Sequence, residues 1–366
     1  MTSPENEDAR SRTPSVWSWL PAAIPATIAA VAAAAGVYFT GLSVGATEQG
    51  QITDRYGKAV EQLGNSSPDV RVGGIFGLER VTHDSPTDQP TVIDVLSSFV
   101  QEKASKDVAG SCVHAVQAGT SLPVDVQAAI RVLARRNPQE DNGAQIRLPS
   151  TCLPRVVAPH AQLAGGELAN VTMTAANLDQ ADLSSADLSG AQLTCHDTIV
   201  AESCVFLERG NLKNATLTDA DLTGADLLGA DLSGALLVRT TLARANLGKA
   251  DLTGAQMIGV VLSQATLADA HLAQANMTSA NLAAIDGSDA DFKQADLSKS
   301  NLAGGVFFST NLANAHLNSA NLTDAVLIGA DLSNADLTDA DLSGANLTGA
   351  NLTGAILTGA KGLKPH

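Results

Sequence analysis

The sequence is poor in aromatic and charged residues. Of its 366 residues, 3% are Phe, Trp or Tyr and 16% are charged, against about 25% charged residues in an average globular domain. Hydrophobic residues make up 45% of the chain, which excludes disorder as a description of the whole protein. A core of this composition must consist mainly of Ala, Leu and Val.

Basic residues are scarce as well. The chain has 22 Lys and Arg against 38 Asp and Glu, a net charge of −16, and residues 161–360 alone carry a net charge of −15. Because binding to phosphates needs Lys and Arg, a basic nucleic-acid-binding protein is disfavoured, and nucleic acid is not an expected partner. Arg131, Arg135 and Arg136 form one compact basic cluster, which indicates a solvated helix face or, alternatively, a site for an anionic partner.

Cysteine is rare, and no two cysteines form a CxxC pair. Cys112, Cys152, Cys195 and Cys204 therefore indicate neither a disulfide framework nor a metal knuckle, and the redox compartment stays open. The stretch Cys195-His196-Asp197, followed by Cys204, has the residue types of a zinc ligand set or a nucleophile, but zinc sites need paired ligands at fixed spacing. No phosphate-binding GxxxxGK[ST] loop occurs. We predict a structural loop here, no cofactor and no enzyme, and keep a loop-based metal enzyme as an alternative.

Charge is absent between Arg12 and Glu48, and residues 16–46 are predominantly apolar. About 20 residues of helix cross a hydrocarbon core of ~30 Å, so the sequence predicts one transmembrane helix at 16–46 after a tail at 1–15. The lipid bilayer is then a partner. A cleaved signal peptide ending near residue 46 is the alternative, although acidic residues in the tail and the long apolar run favour a span.

The orientation of this span is nearly balanced. Arg10 and Arg12 precede it, and Arg55 and Lys58 soon follow it, so the distribution of positive charge hardly distinguishes the two sides. We expect the body of the protein in the cytoplasm.

Residues 48–160 change character and predict a small α-helical domain. Apolar residues recur three or four positions apart, as in Val126, Ile130 and Leu133, and proline-containing turns separate the segments. Asp69 and Asp125 stand where helix N-caps are expected. Each of them is followed by Val and begins a similar run, which suggests a degenerate pair of helical repeats.

A five-residue repeat dominates the remaining sequence. From Leu212 to Leu357 a large residue occupies every fifth position, 30 positions in all, of which 25 are Leu and one, Gly287, is the exception. Two residues earlier stands a small residue, Ala in 23 of the 30 cases. Five steps along an α-helix move the side chain to a different face, and five steps along a straight strand turn it over, so neither element buries this period. A chain that turns a quarter circle at every repeat does bury it.

Four such quarters make one square coil. Residues 161–360 supply ten coils, which stack to roughly 48 Å at a backbone spacing of ~4.8 Å. Large residues around a narrow axis leave space only for small neighbours at the second inward position. Early central positions up to Leu193 and later ones from Leu207 differ in phase, because the step between these two leucines is not a multiple of five. The residues between are predicted to bulge out as a loop.

Runs such as ADLSSADLSGAQL and ADLTGADLLGADLSGA resemble the pentapeptide-repeat family. The resemblance covers about residues 161–360 and implies a right-handed quadrilateral β-helix. The segment beginning YGKAVEQLG resembles the one that precedes such repeats in bacterial membrane-associated members, which implies a single-pass protein of the bacterial cell membrane. Members of known action mimic DNA and shield type II topoisomerases such as gyrase, whereas many others have no assigned role.

The outer surface of the predicted coils carries two kinds of candidate site. Asp231, Asp251, Asp291 and Asp331 stack as an acidic column, and Val306, Phe308, Val326 and Ile328 form an apolar patch on another face, with a second apolar cluster at Leu236, Val238 and Ile258. The tail 361–366 contains no evident capping helix, so the open edge of the last coil is expected to pair with a second copy. We predict a non-catalytic, membrane-anchored interaction scaffold with an unidentified protein partner; a DNA-mimicking gyrase protector is the alternative.

Overall fold

The computed structural model describes residues 48–105, 112, 121–195 and 204–363. These residues contain four α-helices and two short 3₁₀-helices. The elements are α1 (Glu48–Leu63), α2 (Pro68–Asp84), α3 (Gln89–Ala104) and α4 (Val124–Arg135), with 3₁₀ turns at Pro86–Asp88 and Pro138–Glu140. Within these ranges no helix has the length and apolar character needed to cross a membrane. The predicted span at 16–46 lies outside the described residues.

The helices pack around one apolar core. Ile75, Leu78 and Val81 of α2 are buried, as are Val126 and the following apolar residues of α4. Helix α2 contacts α1, α3 and α4, so it lies at the centre of the group. The predicted N-caps are wrong: Ser67 and Pro123 precede the helices, and both aspartates lie inside the first turns.

Residues 147–195 and 204–361 form a quadrilateral β-helix. Parallel bridges join each bridge residue to the one four repeats later, as in Asp231 with Asp251 and Val306 with Val326, and they form four ladders that run the length of the coil stack. Each face contributes a single bridge residue per coil. The chain is therefore extended over only one or two residues before it turns again, which a straight strand does not allow.

The ladders begin before the boundary expected at 161. Arg147 pairs with Glu167, and Cys152 pairs with Thr172, so the first coil lies inside the segment predicted to be helical. Pro149, Pro154 and Pro159 each occupy the second residue of a corner turn. Proline has the φ that this turn position requires, and the residues that break a helix here are the ones that form the corners.

Nearly every described corner is a four-residue turn closed by a backbone hydrogen bond. The N–H of Ala215 donates to the carbonyl of Leu212 at 3.0 Å, and the third residue of this turn, Asn214, has a φ of 57°. The same left-handed position recurs at every described corner, and glycine occupies it in the last four coil corners, from Gly344 to Gly359. Glycine adopts this conformation without steric cost.

The interior of the β-helix follows the sequence pattern. The central residues from Leu212 to Leu342 and the small residues two positions earlier are buried. Leu347 and Leu352, in the last coil, are partly exposed, because no further coil covers them among the described residues. The prediction of a β-helix with Leu and Ala inside is confirmed.

Candidate interaction surfaces

The N-terminal end of the β-helix is covered by the helices. The first bridge residue of each ladder has its free backbone group paired with α3, α4 or the residues next to them. These contacts are Gln101 Nε2 to the Arg147 carbonyl (2.6 Å), the Cys152 N–H to the Ala104 carbonyl (2.6 Å), Gln127 Nε2 to the Val157 carbonyl (3.0 Å), the Val157 N–H to Gln127 Oε1 (3.1 Å), and the Gln162 N–H to the Ala134 carbonyl (2.9 Å). Open sheet edges are sites of unwanted pairing, and here the helices remove them.

The C-terminal end has no such cover among the residues described up to 363. Ile356 is 50% exposed and Leu357 is 37% exposed, although the central residues of earlier coils, the equivalents of Leu357, are fully buried. In those coils the central N–H donates to the next coil, as Leu337 does to Ile356. The two ends of the solenoid therefore differ, with one end capped and the other presenting apolar side chains.

The acidic column lies in a single ladder. Asp231, Asp251, Asp291 and Asp331 occupy bridge positions of one face, in a ladder that also contains Asn and His residues. Each carboxylate also caps its own turn, because Oδ1 accepts from the backbone N–H two residues later, for example from Ser333 to Asp331 at 3.0 Å. Asp and Asn both form this local turn. Turn formation thus explains the residue type, and only the choice of Asp over Asn adds charge.

Hydrogen bonding favours the ionised form of Asp331. The backbone N–H and hydroxyl of Ser333, together with the Asn351 amide, hold the pKa of Asp331 below its usual range. The Asn351 amide donates to Asp331 Oδ1 at 3.0 Å, and Asn311 donates in the same way to Asp291 at 2.8 Å. Because an ionised carboxylate accepts these bonds better than a neutral one, the lowered pKa of Asp331 follows from the geometry.

The apolar patch lies on a different face. Val306 and Val326 are bridge partners on adjacent coils, and Phe308 and Ile328 follow them by two residues. Phe308 is 44% exposed, whereas the other three are partly exposed. In the second cluster Leu236 is 42% and Ile258 is 41% exposed. The structure thus brings the predicted members of each group together on neighbouring coils.

The four cysteines form two disulfides, Cys112–Cys152 and Cys195–Cys204. The expectation that they form no disulfide framework is wrong. Since Cys195 and Cys204 are bonded to each other, neither supplies the thiolate that a zinc site or a nucleophile needs. His196 and Asp197 lie outside the described residues, and the described part of the chain holds no group of three or more potential ligands placed around a metal site.

The second disulfide closes an insertion in one coil. Across it Asn177 bridges to Phe206, a longer step along the chain than the one from Asp231 to Asp251 in an uninterrupted coil. Cys195 follows the central Leu193 by two residues and Cys204 precedes the central Leu207 by three, and these are the same position of a five-residue repeat. The insertion therefore starts and ends at one corner, so the ladders keep their register. The shared repeat position of the two cysteines was the sequence signal for this pairing.

The sequence profile of the pentapeptide-repeat family matches the chain in eight copies. They span residues 160–194, 206–237, 235–274, 255–286, 262–304, 288–324, 306–344 and 320–359, which is more than half of the chain. The chain belongs to the pentapeptide-repeat family.

Solved structures of this family resemble the chain as well. HetL, a pentapeptide-repeat protein involved in heterocyst differentiation regulation in the cyanobacterium Nostoc sp. strain PCC 7120, is 32% identical with a TM-score of 0.53, over 57% of this chain and 89% of HetL. A trypsin-treated form of QnrB1, a plasmid-mediated fluoroquinolone resistance protein, is 20% identical with a TM-score of 0.29, over 51% of this chain and 83% of QnrB1. No curated protein sequence matches. The family fold, a right-handed β-helix, applies to this chain.

The predicted basic cluster of this pentapeptide-repeat protein does not form one surface. The Arg136 side chain is 6% exposed, with its guanidinium 2.7 Å from Asp141 and a hydrogen bond to the Gln162 carbonyl. Arg135 is exposed and pairs with Glu79 at 2.7 Å, and Arg131 is exposed. Two of the three charges are thus used in contacts within the protein, one of them to hold the helices on the first coil.

Proposed function

We propose that this pentapeptide-repeat protein is a non-catalytic scaffold, anchored to the lipid bilayer by residues 16–46, that binds a protein partner through the outer faces of its β-helix. The interior columns fill the core and the backbone groups form the ladders, so only the outward side chains are free to vary. The apolar patch carries the proposal, because a contiguous exposed apolar surface on a polar coat is characteristic of contact sites.

The patch also lacks the turn chemistry of its neighbours. At bridge positions Asp and Asn cap the following turn, as Asp286 does for Ser288 at 3.1 Å. Val306 and Val326 have no side-chain oxygen to make this bond, so their turns lose it. Loss of a local hydrogen bond at two adjacent coils supports selection of these valines for an external contact.

The test uses the full chain in its native membranes, with a photo-cross-linker at Ser309 beside the patch. In the variant, Val306→Asn and Val326→Asn restore the turn residue of the repeat, and Phe308→Ser makes the patch polar. A matched control changes Leu236→Asn and Ile258→Thr on another face. We expect one set of cross-linked proteins to be lost from the patch variant and retained in the control. Unchanged cross-linking in the patch variant would count against the proposal.

We also propose that two copies associate through their C-terminal coils. The exposure of Ile356 and Leu357 supports this, because a second copy would bury both. Ile356→Asn gives this coil a turn-capping bridge residue of the kind found throughout the repeat and removes its apolar contact. Sedimentation velocity of the detergent-solubilised chain should show a dimer that this variant dissociates. A monomer at high concentration in the unchanged chain would contradict the pairing.

Gyrase protection by DNA mimicry is the second candidate. A charge of −15 over roughly 48 Å is one charge per ~3 Å, against one per ~1.7 Å in duplex DNA. Half the charge density of DNA supports solubility at least as well as mimicry. The test measures whether the full chain competes with DNA for binding to gyrase. Competition that is lost in Asp251→Asn and Asp291→Asn, which change only the charge, would favour this second candidate over the scaffold.

A further inference from the structure

We propose that the helices and the β-helix fold on the oxidising, extracytoplasmic side of the membrane, where thiol–disulfide exchange forms Cys112–Cys152 and Cys195–Cys204. This inference uses the proposed membrane anchor only to define the two sides. From the sequence we expect the body in the cytoplasm, on the basis of a nearly balanced distribution of positive charge. The disulfides favour the opposite side of the membrane.

The first observation is where the Cys112–Cys152 bridge lies. Cys152 is a bridge residue of the first coil, its N–H donates to the carbonyl of Ala104 at the end of α3, and Thr151 beside it pairs with Ser105. Both cysteines are buried. The disulfide therefore reinforces a junction that backbone pairing already defines, and it ties Cys112, which lies between α3 and α4 in the sequence, to the capped end of the solenoid. That is a structural role, in contrast to the exposed, reactive cysteine of a redox sensor.

The second observation is the geometry of the insertion. The Cα atoms of Cys195 and Cys204 are 3.7 Å apart, about the ~3.8 Å that separates consecutive residues in a chain. Cys195 and Cys204, which share one repeat position, thus lie side by side at a single corner of the coil. On the following coil, a Cβ at Gly224 would lie only 2.5 Å from Cys195 Sγ, so the absence of a side chain there leaves space for the bridge. The disulfide holds the two ends of the insertion together at one corner.

The third observation is that the pairing is complete. The chain has four cysteines, and none is free. Disulfides of this structural kind form and persist in oxidising compartments and are rare where glutathione and thioredoxin keep thiols reduced. Two independent bridges, each at a defined junction of the fold, therefore indicate the compartment in which this chain folds.

The chemistry requires a disulfide-bearing exchange catalyst of that compartment. For each bridge one cysteine thiolate attacks the catalyst disulfide and forms a mixed disulfide, with the catalyst's second thiolate as leaving group. The partner cysteine thiolate then attacks the mixed disulfide and displaces the catalyst. Two protons and two electrons leave the chain per bridge, and the catalyst disulfide is reduced to a dithiol.

The test measures the thiols of the full chain inside the cell. Cells of the source organism are quenched in acid, the protein is denatured in detergent, and free thiols are labelled with a maleimide polymer that retards the chain on a gel. We expect no adduct without reductant and four adducts after reduction. Cys195→Ser should give one adduct without reductant, because Cys204 is released, and Cys112→Ser should do the same through Cys152. Adducts on the unsubstituted chain before reduction would overturn the proposal, and four would place the body in the reducing cytoplasm.

A separate measurement keeps the anchor distinct from the compartment. Retention of the chain in an alkali-washed membrane pellet reports the anchor alone. If the cysteines are oxidised and the chain is found in the soluble extracytoplasmic fraction, the proposed membrane anchor is contradicted and folding on the extracytoplasmic side is supported. If the cysteines are reduced and the chain stays in the membrane pellet, the anchor is supported and folding on the extracytoplasmic side is contradicted.

Discussion

The ring of Phe307 lies against Gly287, the residue one coil earlier in the same interior column. A Cβ placed on Gly287 would lie 3.1 Å from Cδ1 and 3.3 Å from Cε1 of this ring. Gly305, two residues before Phe307, also lies under the ring, and the ring packs edge-on to Phe292 with centroids 6.3 Å apart. Ile285 takes the place of the usual Ala in the segment of Gly287. The departures from the repeat thus compensate one another in volume.

This compensation predicts that restoring the repeat at one position alone is harmful. Gly287→Leu should destabilise the β-helix by about 1–3 kcal/mol, because it forces a side chain into occupied space. Adding Phe307→Leu should recover part of that loss, since the smaller side chain makes space. A double-mutant cycle of denaturant unfolding measures the coupling. Additive effects of the two substitutions would contradict direct packing between these residues.

The largely buried ion pair between Arg71 of α2 and Asp125 of α4 should stabilise the fold more than the exposed ion pair between Glu79 and Arg135. Arg71 Nε lies 2.6 Å from Asp125 Oδ2, and the Asp125 side chain is 2% exposed. Asp125→Ala should cost about 3–5 kcal/mol of unfolding free energy, because it leaves the Arg71 charge without its partner in a largely buried site. The control Glu79→Ala breaks the exposed pair with Arg135 and should cost about 0–1 kcal/mol. Equal losses in the two variants would show that burial does not decide the difference.

Turn-capping aspartates should make the β-helix sensitive to acid. The hydrogen bonds from Ser333 and Asn351 lower the folded pKa of Asp331, and those from Thr338 and Ser343 do the same for Asp336 and Asp341. A folded pKa below the unfolded value of about 3.9 means that this stabilisation is present above that pH and is lost as the pH falls through the folded pKa. Denaturation midpoints should therefore decrease on acidification below about pH 4.

Variants at position 331 separate charge from turn formation. Asp331→Asn keeps the acceptor oxygen but not the charge, so it should weaken the acid dependence and lower the midpoint at neutral pH by less than Asp331→Ala does. Asp331→Ala loses the acceptor too and should lower the midpoint at every pH. An acid dependence unchanged in the Asn variant would show that this carboxylate does not contribute to it.

The two disulfides should differ in how much they stabilise the fold. They join residues 40 and 9 positions apart, and the chain-entropy relation gives about 4 kcal/mol for the longer loop and about 2.5 kcal/mol for the shorter. The double variant Cys112→Ser, Cys152→Ser should therefore unfold at lower denaturant than the double variant Cys195→Ser, Cys204→Ser. The reverse order would indicate that closing the insertion matters more than fastening the cap.

The periodic part of the fold could be predicted in detail from the sequence. The positions of Leu212 and its successors, with Ala two residues before each, identified the buried columns, and the stacking of Asp231 on Asp251 followed from counting four repeats. The start of the β-helix was harder to predict. Between residues 146 and 160 proline and larger apolar residues replace the usual pattern, and proline is as compatible with the end of a helix as with a corner turn.

The sequence by itself determined the interior of this protein, because a five-residue period leaves one way to bury a leucine at each repeat, and every coil then meets a neighbour of the same shape. Only the tertiary structure decided the pairings that have no period: Cys112 with Cys152, Arg71 with Asp125, Gln127 with the backbone of Val157, and the ring of Phe307 over Gly287. Each joins residues whose separation in the sequence or whose shape departs from the repeat. Contacts of that kind depend on where the folded chain places them.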